Sequence, residues 1–150
     1  MRPHRKNIRA IPPPAEFWDG NHAICPYCEI PAALVEHGDE LYPYRRDFGM
    51  LWACRCGAYV GCHPGTILPL GRLADAELRE AKKRAHAVFD PIWQREIERN
   101  GAKPRSARAF TYGWLARELG ISTDQCHIGW FDNAQCQRVI EICTTQVAVA

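Results

Sequence analysis

Cys25-Pro26-Tyr27-Cys28 and Cys54-Arg55-Cys56-Gly57 are two short turns, each of which carries a pair of closely spaced cysteines. A tight turn can point both thiolates inward while backbone amides donate hydrogen bonds to the sulfurs, and two such turns can complete a tetrahedral zinc site. The second pair has one intervening residue where two are usual, and Gly57 suits the left-handed backbone position that such a turn often needs. The pattern is typical of a zinc ribbon and predicts one structural Zn²⁺ ion.

The choice of the four ligands stays open at this point. The preferred set is the cysteines of the two turns, Cys25, Cys28, Cys54 and Cys56. Cys62 and His63 follow closely and are alternative ligands. Because four thiolates leave no coordination position for water, the sequence favours a protein without enzymatic activity. A zinc hydrolase built around His63 ranks behind two kinds of binding protein.

Length and composition set wider bounds. A chain of 150 residues makes one domain, or one domain with a small appendage, which excludes a multidomain enzyme. Hydrophobic residues at 47% and charged residues at 24% indicate a globular chain with a packed core. The formal net charge of +2 is far below that of a dedicated nucleic-acid coat, so charge alone names no partner.

The cysteine content and the first residues bear on location. Eight cysteines could serve disulfides or metal sites. The basic residues of Met1 to Arg9 are followed by Pro12-Pro13-Pro14, where a signal peptide would need an apolar run. No stretch approaches the roughly 18 consecutive apolar residues of a membrane span. We therefore expect a cytoplasmic protein with no membrane partner, in which paired cysteines bind metal.

The predicted fold class is α+β, with a small zinc-ribbon-like β-hairpin unit packed on a C-terminal unit of three to four helices. Residues 1–20 are expected to form a flexible basic and proline-rich arm that carries Arg2, Arg5, Lys6 and Arg9. Residues 21–66 predict the zinc-ribbon-like subdomain, with three short strands between turns. Residues 67–150 predict the helical subdomain, and the whole is expected to form one compact domain.

Local signals place the helices. Asp75 suits the cap of a first helix, which should kink or restart at Pro91 and end at Asn100-Gly101. Ser106 suits the cap of a second helix, and Asp132 with Gln135 resembles the capping box of a third that reaches about residue 143. The predicted core residues are Leu73, Leu78, Val88, Phe89, Trp93, Phe110, Trp114, Leu115 and Leu119.

Three further cysteines lie in the last quarter of the chain. Cys136 and Cys143 follow Cys126-His127 and could suggest a second metal, but their spacing with Val139 favours core positions on one helix face.

The candidate partner-binding residues are arginines, with one aromatic beside them: Arg45, Arg46, Arg55, Tyr44 and Arg105. Aromatics beside arginines suit stacking on bases and contact with phosphates. The expected partner is therefore nucleic acid or a host protein.

Longer stretches of the chain resemble a known family. They are Cys25-Pro26-Tyr27-Cys28, Cys56-Gly57-Ala58-Tyr59-Val60-Gly61-Cys62-His63, Pro69-Leu70-Gly71-Arg72-Leu73-Ala74, Phe89-Asp90-Pro91-Ile92-Trp93, Trp114-Leu115-Ala116 and Cys126-His127-Ile128-Gly129. Together they resemble the zinc-finger-containing domain of unknown function found in phages, prophages and related bacterial genomes. The resemblance implies a phage-derived zinc-binding domain and supports thiolate ligands at Cys25, Cys28 and Cys56. It leaves Cys54 against Cys62 open and supplies no catalytic residue.

Two functions follow as expectations. The first is a zinc-stabilised protein that binds nucleic acid in phage replication or regulation. The second is a host-interaction protein that docks on a bacterial enzyme or defence complex. Zinc ribbons serve both purposes, so the fold class does not choose between them.

Overall fold

The computed structural model describes residues 12–149, with side chains up to residue 145. The described chain divides into two compact units, with the boundary between Asp75 and Ala76. The first unit is a small sheet and its loops, and the second is helical, so the predicted α+β class is confirmed. The basic residues of the predicted arm, Arg2, Arg5, Lys6 and Arg9, lie outside the described residues.

The described end of that predicted arm is folded onto the first unit. Ala15–Phe17 forms one turn of 3-10 helix, and the Phe17 side chain is buried. The guanidinium carbon of Arg72 lies 4.4 Å from the centre of the Phe17 ring, a cation–π contact that covers the ring. Trp18 then pairs with Ala23 in an antiparallel bridge. These contacts hold residues 15–18 on the first unit.

Among the described residues, three short strands form one antiparallel sheet. They are β1 (Ala33–Val35), β2 (Leu51–Ala53) and β3 (Tyr59–Gly61), in the order β1-β2-β3. The central strand is buried along its whole length. The number of strands agrees with the three short strands predicted for residues 21–66.

The two faces of this sheet are covered by different parts of the first unit. Trp52 faces a cluster that includes Ala23, Cys25 and Leu73. Leu51 and Ala53 alternate with Trp52 and pack in a second cluster, with Val35 and Tyr42. The indole Nε1 of Trp52 donates a hydrogen bond of 2.7 Å to the carbonyl of Ile67. The central strand is therefore buried on both faces of the sheet.

The segment after residue 66 belongs to the first unit, whereas the sequence placed it with the helices. Pro69 pairs with Cys62, and Ala74 pairs with Tyr59, both in antiparallel bridges. The amide N–H of Ala74 donates to the Tyr59 carbonyl at 3.0 Å, and the reverse bond is 3.1 Å long. These backbone hydrogen bonds bring residues 67–75 back beside β3, so the boundary falls at the start of the first helix.

In the described part of the second unit, three α-helices account for most residues. They are α1 (Ala76–Asn100), α2 (Pro104–Leu119) and α3 (Asn133–Val149). Two 3-10 turns, Thr123–Gln125 and Ile128–Trp130, connect α2 to α3. Helix α1 contacts both of the other helices, and the core of this unit lies between them.

Helix α1 begins directly after Asp75 and runs unbroken through Pro91, so the predicted restart at Pro91 is wrong. The buried stripe of Leu78, Ala81, Ala85 and Phe89 holds the helix up to the turn before Pro91 by packing, which outweighs the loss of one amide donor. The helix ends at Asn100 as predicted. Gly101 follows with φ +63° and donates its N–H to the Ile97 carbonyl.

Helix α2 begins earlier than its predicted cap. Lys103 is the N-cap and Pro104 is the first helical residue, so the assignment of Ser106 as cap is wrong. Proline suits the first helical position because its missing N–H would have no intrahelical partner there. Gly120 ends the helix in the left-handed conformation, with φ +70°.

The capping box of α3 is confirmed, because Asp132 and Gln135 exchange two hydrogen bonds. The Gln135 N–H donates to Asp132 Oδ1 at 2.8 Å, and the Asp132 N–H donates to Gln135 Oε1 at 3.0 Å. The helix extends beyond the predicted end near residue 143, to Val149.

Four of the nine predicted core residues are confirmed as buried. Leu73, Leu78, Phe89 and Leu115 are fully or almost fully buried, whereas Val88, Trp93, Trp114 and Leu119 are half-buried. The prediction that Phe110 is a core residue is wrong, since 66% of its surface is exposed. Helix α2 turns a stripe of small residues, Ala107 and Thr111 with Leu115, toward the core. Phe110 lies off that stripe.

No helix of the described chain combines the length and apolar character that a bilayer span requires.

Candidate metal centre

The first cysteine turn is closed by its own backbone. The Cys25 N–H donates to the Ile30 carbonyl at 2.9 Å, and the Glu29 N–H donates to the Cys25 carbonyl at 2.8 Å. Glu29 takes a left-handed conformation with φ +58°, which is unfavourable for a residue with a Cβ. This conformation reverses the chain directly after Cys28, so that Cys25 and Cys28 project from the same turn.

The second cysteine turn connects β2 to β3. Ala53 and Tyr59 form the last cross-strand pair, and the Cys54 N–H then donates to the Ala58 carbonyl at 2.9 Å. The Gly57 N–H donates to the Cys54 carbonyl at 3.0 Å, and Gly57 has φ +96°. The predicted left-handed glycine is confirmed. The hairpin therefore presents Cys54 and Cys56 at one end of the sheet.

The two turns bring four sulfurs together. The Sγ atoms of Cys25, Cys28, Cys54 and Cys56 all lie within 4.8 Å of one another. The Sγ atoms of Cys25 and Cys56 are 3.7 Å apart. A tetrahedron with Zn–S bonds of about 2.3 Å has edges of about 3.8 Å, so this separation fits a single zinc ion at the centre. All eight cysteines are free thiols.

Burial and hydrogen bonding differ among the four thiols. Cys25 and Cys54 are buried, whereas Cys28 and Cys56 are exposed. Burial raises the pKa of Cys25 to about 12, although the N–H groups of Cys28 and Tyr27 donate to its sulfur and oppose the shift. Hydrogen bonds with the Cys56 and Cys54 thiols raise the pKa of Cys28. Without a cation these two thiols stay protonated at neutral pH, so zinc binding must displace protons.

Cys54 differs in the direction of its pKa shift. Burial raises the pKa, but the N–H of Cys56 and the thiols around the sulfur donate hydrogen bonds that outweigh burial and lower it. Amide donors toward both buried sulfurs stabilise thiolate charge and orient the ligands. The donor set is therefore suited to Zn²⁺, which binds thiolates in a closed tetrahedral shell when its role is structural.

Residues 21–146 match the model of a family described as a zinc-finger-containing domain. The chain belongs to this family. No curated protein and no solved structure matches the chain at the threshold of the search. Membership and the four clustered sulfurs together confirm the predicted structural zinc ion.

The alternative ligands lie outside the sulfur cluster of this zinc-finger-containing domain. In the described residues, the group of side chains that can hold a metal contains neither Cys62 nor His63. Burial raises the pKa of Cys62 to about 11, and burial lowers the pKa of His63, so both are favoured in their neutral forms. The His63 N–H donates to the Leu68 carbonyl, which closes a turn. The geometry favours Cys54 as the fourth ligand.

The remaining cysteines have a packing role. Cys126, Cys136 and Cys143 are completely buried in the second unit, as is Val139. The core positions predicted for Cys136 and Cys143 are confirmed. Within the range 12–149, the four-sulfur cluster is the one group of side chains found that could bind a metal.

The candidate partner-binding residues are exposed but belong to both units. Tyr44, Arg45, Arg46 and Arg55 lie on the surface of the first unit. Arg105 lies on the surface of the second unit, in the first turn of α2. The structure therefore brings Tyr44 and its neighbouring arginines onto one loop and leaves Arg105 as a separate candidate.

Two residues of the zinc-finger-containing domain were not identified from the sequence. Glu29 occupies the left-handed position after Cys28, where the usual signal would be a glycine. Phe48 is 64% exposed on the loop that follows β1. The signal that could have found it is an aromatic residue between Asp47 and Gly49, two residues typical of turns.

Proposed function

We propose that this chain is a zinc-stabilised, non-enzymatic protein of phage origin that binds nucleic acid in phage replication or regulation, in the cytoplasm of a bacterial host. The observation that carries the proposal is a loop on the zinc unit where two exposed arginines, Arg45 and Arg46, adjoin the exposed ring of Tyr44. Phage origin is supported by the resemblance of the motifs, and the cytoplasm by thiols that bind metal in a reducing compartment.

The loop with these arginines is anchored to the sheet. The ring of Tyr44 meets that of Tyr59 edge to face, with centroids 5.5 Å apart. Tyr59 pairs with Ala53, the residue directly before the first cysteine of the second turn. The imidazole Nε2 of His37 also donates to the Arg45 carbonyl at 2.8 Å. The zinc ion, by fixing the second turn, helps to hold the surface on which Tyr44 rests.

The charges available to a phosphate backbone come from three arginines of the first unit. Arg45, Arg46 and Arg55 are exposed, and within the described chain none of them forms an ion pair with a carboxylate. Arg55 lies between two zinc ligands, in the turn closed by the hydrogen bond from the Gly57 N–H to the Cys54 carbonyl. Exposed guanidinium groups suit phosphate oxygens, which they can bind with two hydrogen bonds.

The test is a binding titration of labelled oligonucleotides, single and double stranded, by fluorescence anisotropy. Replacement of Arg45, Arg46 and Arg55 by alanine should weaken binding and reduce the slope of log K against log salt by about one for each lost phosphate contact. Arg105→Ala tests the second unit separately. Arg84→Ala, an exposed arginine on α1, is the control and should change neither quantity. Absence of binding to every oligonucleotide at about 50 mM salt would refute the proposal.

A protein partner is the second candidate, favoured by apolar side chains around the first cysteine turn. Tyr27 and Ile30 are 44% and 48% exposed, although both flank zinc ligands. A host enzyme or defence complex could cover them. Co-purification from native lysate, with mass spectrometry and nucleic-acid staining of the same sample, separates the two candidates. Loss of a defined protein partner on Ile30→Asp, with retention on Phe110→Asp, would support this candidate.

A further inference from the structure

The loop between β1 and β2 holds two exposed aromatic rings against each other. Phe48 is 64% exposed and Tyr44 is 39% exposed. Their ring centroids are 5.0 Å apart with an interplanar angle of 72°, an edge-to-face pair. We call Tyr44 and Phe48 the aromatic pair.

The aromatic pair is held in place by buried neighbours. Tyr42 is buried, and its hydroxyl accepts the Phe48 N–H at 2.8 Å and donates to the Gly49 carbonyl at 2.7 Å. Tyr44 also contacts the ring of Tyr42, with centroids 6.2 Å apart. The exposed rings therefore stand on an ordered loop, so that little further conformational entropy is lost when a ligand covers them.

The charge around the aromatic pair is mixed. Arg45 and Arg46 lie between the two aromatic residues in sequence, and both side chains are exposed. The carboxylate of Asp47 accepts the Gly49 N–H at 2.9 Å, and that of Asp39 accepts the Glu36 N–H at 2.8 Å. With Glu36 and Glu40 they give residues 36–50 four carboxylates against two guanidinium groups, so a strand bound here must owe its affinity to the rings more than to net charge.

We infer that the aromatic pair is a stacking platform for the bases of a single-stranded nucleic acid, with Arg45 and Arg46 contacting the adjoining phosphates. This inference rests on the proposed function and specifies its substrate. In a duplex the faces of the bases are covered by their neighbours, so exposed rings on a loop have nothing to stack on. In an unpaired strand every base offers a π face, and stacking supplies affinity without many cations.

The number of arginines gives a quantitative expectation. Three phosphate contacts, from Arg45, Arg46 and Arg55, predict a slope of log K against log salt of about −2 for a single strand. Such a shallow slope means that a large share of the binding free energy must come from stacking. Removal of one stacking ring should therefore weaken binding by roughly fivefold to 100-fold and leave the slope unchanged.

The experiment uses the full zinc-loaded chain and three labelled probes: a single-stranded 12-mer of thymidines, a 12-mer of abasic sites with the same phosphates, and a 12-base-pair duplex. The variants are Phe48→Ala, Arg45→Ala and Phe110→Ala. Phe110 is the matched control, because it is equally exposed at 66% but lies in the other unit. Circular dichroism and zinc content check that each variant is folded.

We expect the thymidine strand to bind more tightly than the abasic strand and the duplex. Phe48→Ala should remove most of that preference, Arg45→Ala should reduce the salt slope, and Phe110→Ala should match the wild type. Equal binding of thymidine and abasic strands, or tighter binding of the duplex, would overturn the platform and leave nucleic-acid binding standing. Absence of binding to all three probes would overturn both.

Discussion

Helix α2 contains two apolar residues whose replacement by alanine should have opposite outcomes. Leu115 is completely buried, and truncation of a buried leucine removes its transfer free energy and leaves a cavity. We expect Leu115→Ala to lower the free energy of unfolding by about 2–5 kcal/mol. Phe110 keeps only about a third of its side chain from water, since 66% is exposed. At about 1.5–3 kcal/mol for complete burial, that third contributes about 1 kcal/mol at most.

The better helix propensity of alanine offsets about 0.5 kcal/mol of the Phe110 loss. Phe110→Ala should therefore change the free energy of unfolding by about 0.5 kcal/mol or less. Urea unfolding of the zinc-loaded chain, followed by circular dichroism at the helical signal, measures both variants, and an unchanged m-value in each licenses the comparison. A loss at Phe110→Ala that equals the loss at Leu115→Ala would refute the orientation of α2 described above.

Three other predictions concern single positions. Cys54→Ser should weaken zinc affinity by more than about 100-fold, because it removes a ligand and not merely an outer contact. Cys62→Ser should leave zinc affinity unchanged. A competition titration with a chromophoric chelator measures both variants. Gly57→Ala should destabilise the chain by about 1–2 kcal/mol from its backbone conformation alone, since no atom lies within 4 Å of the added Cβ. Gly113→Ala in α2 should instead stabilise the chain by about 1 kcal/mol. Equal urea midpoints for the two variants would contradict this prediction. Burial lowers the pKa of His127, so below a pH of about 6.5 the unfolded chain takes up a proton that the native chain resists. The stability of the wild type should therefore fall relative to that of His127→Gln as pH decreases. A constant difference in stability between pH 7 and pH 5 would count against this prediction.

The metal site could be predicted from the sequence because its geometry is local. Each pair of cysteines lies within one tight turn, so four residues of chain fix both sulfur positions of that turn. Gly57 added a conformational signal that the structure confirms with φ +96°. What the sequence left open was the fourth ligand, because Cys54 follows β2 and Cys62 follows β3, and only the fold shows which strand end lies beside Cys25 and Cys28.

Other elements depend on contacts that no local pattern shows. Phe110 fits a helical period as well as the residues that are buried, and only the packing of α2 selects the stripe of Ala107, Thr111 and Leu115. The segment that pairs Ala74 with Tyr59 contains no strand signal, since isolated bridges have no periodicity. Phe48 was missed for a related reason, because its neighbours in the sequence do not show whether its ring is buried or exposed.

The most direct test of the zinc site is metal analysis combined with mapping of cysteine alkylation by mass spectrometry. Cys28 and Cys56 are exposed to solvent, so an alkylating agent can reach both sulfurs unless a metal binds them. The natively purified chain should contain one zinc ion, and both cysteines should react slowly until a strong chelator is added. A metal-free chain, or rapid alkylation of Cys28 and Cys56 with and without chelator, would contradict a zinc ion held by the two turns.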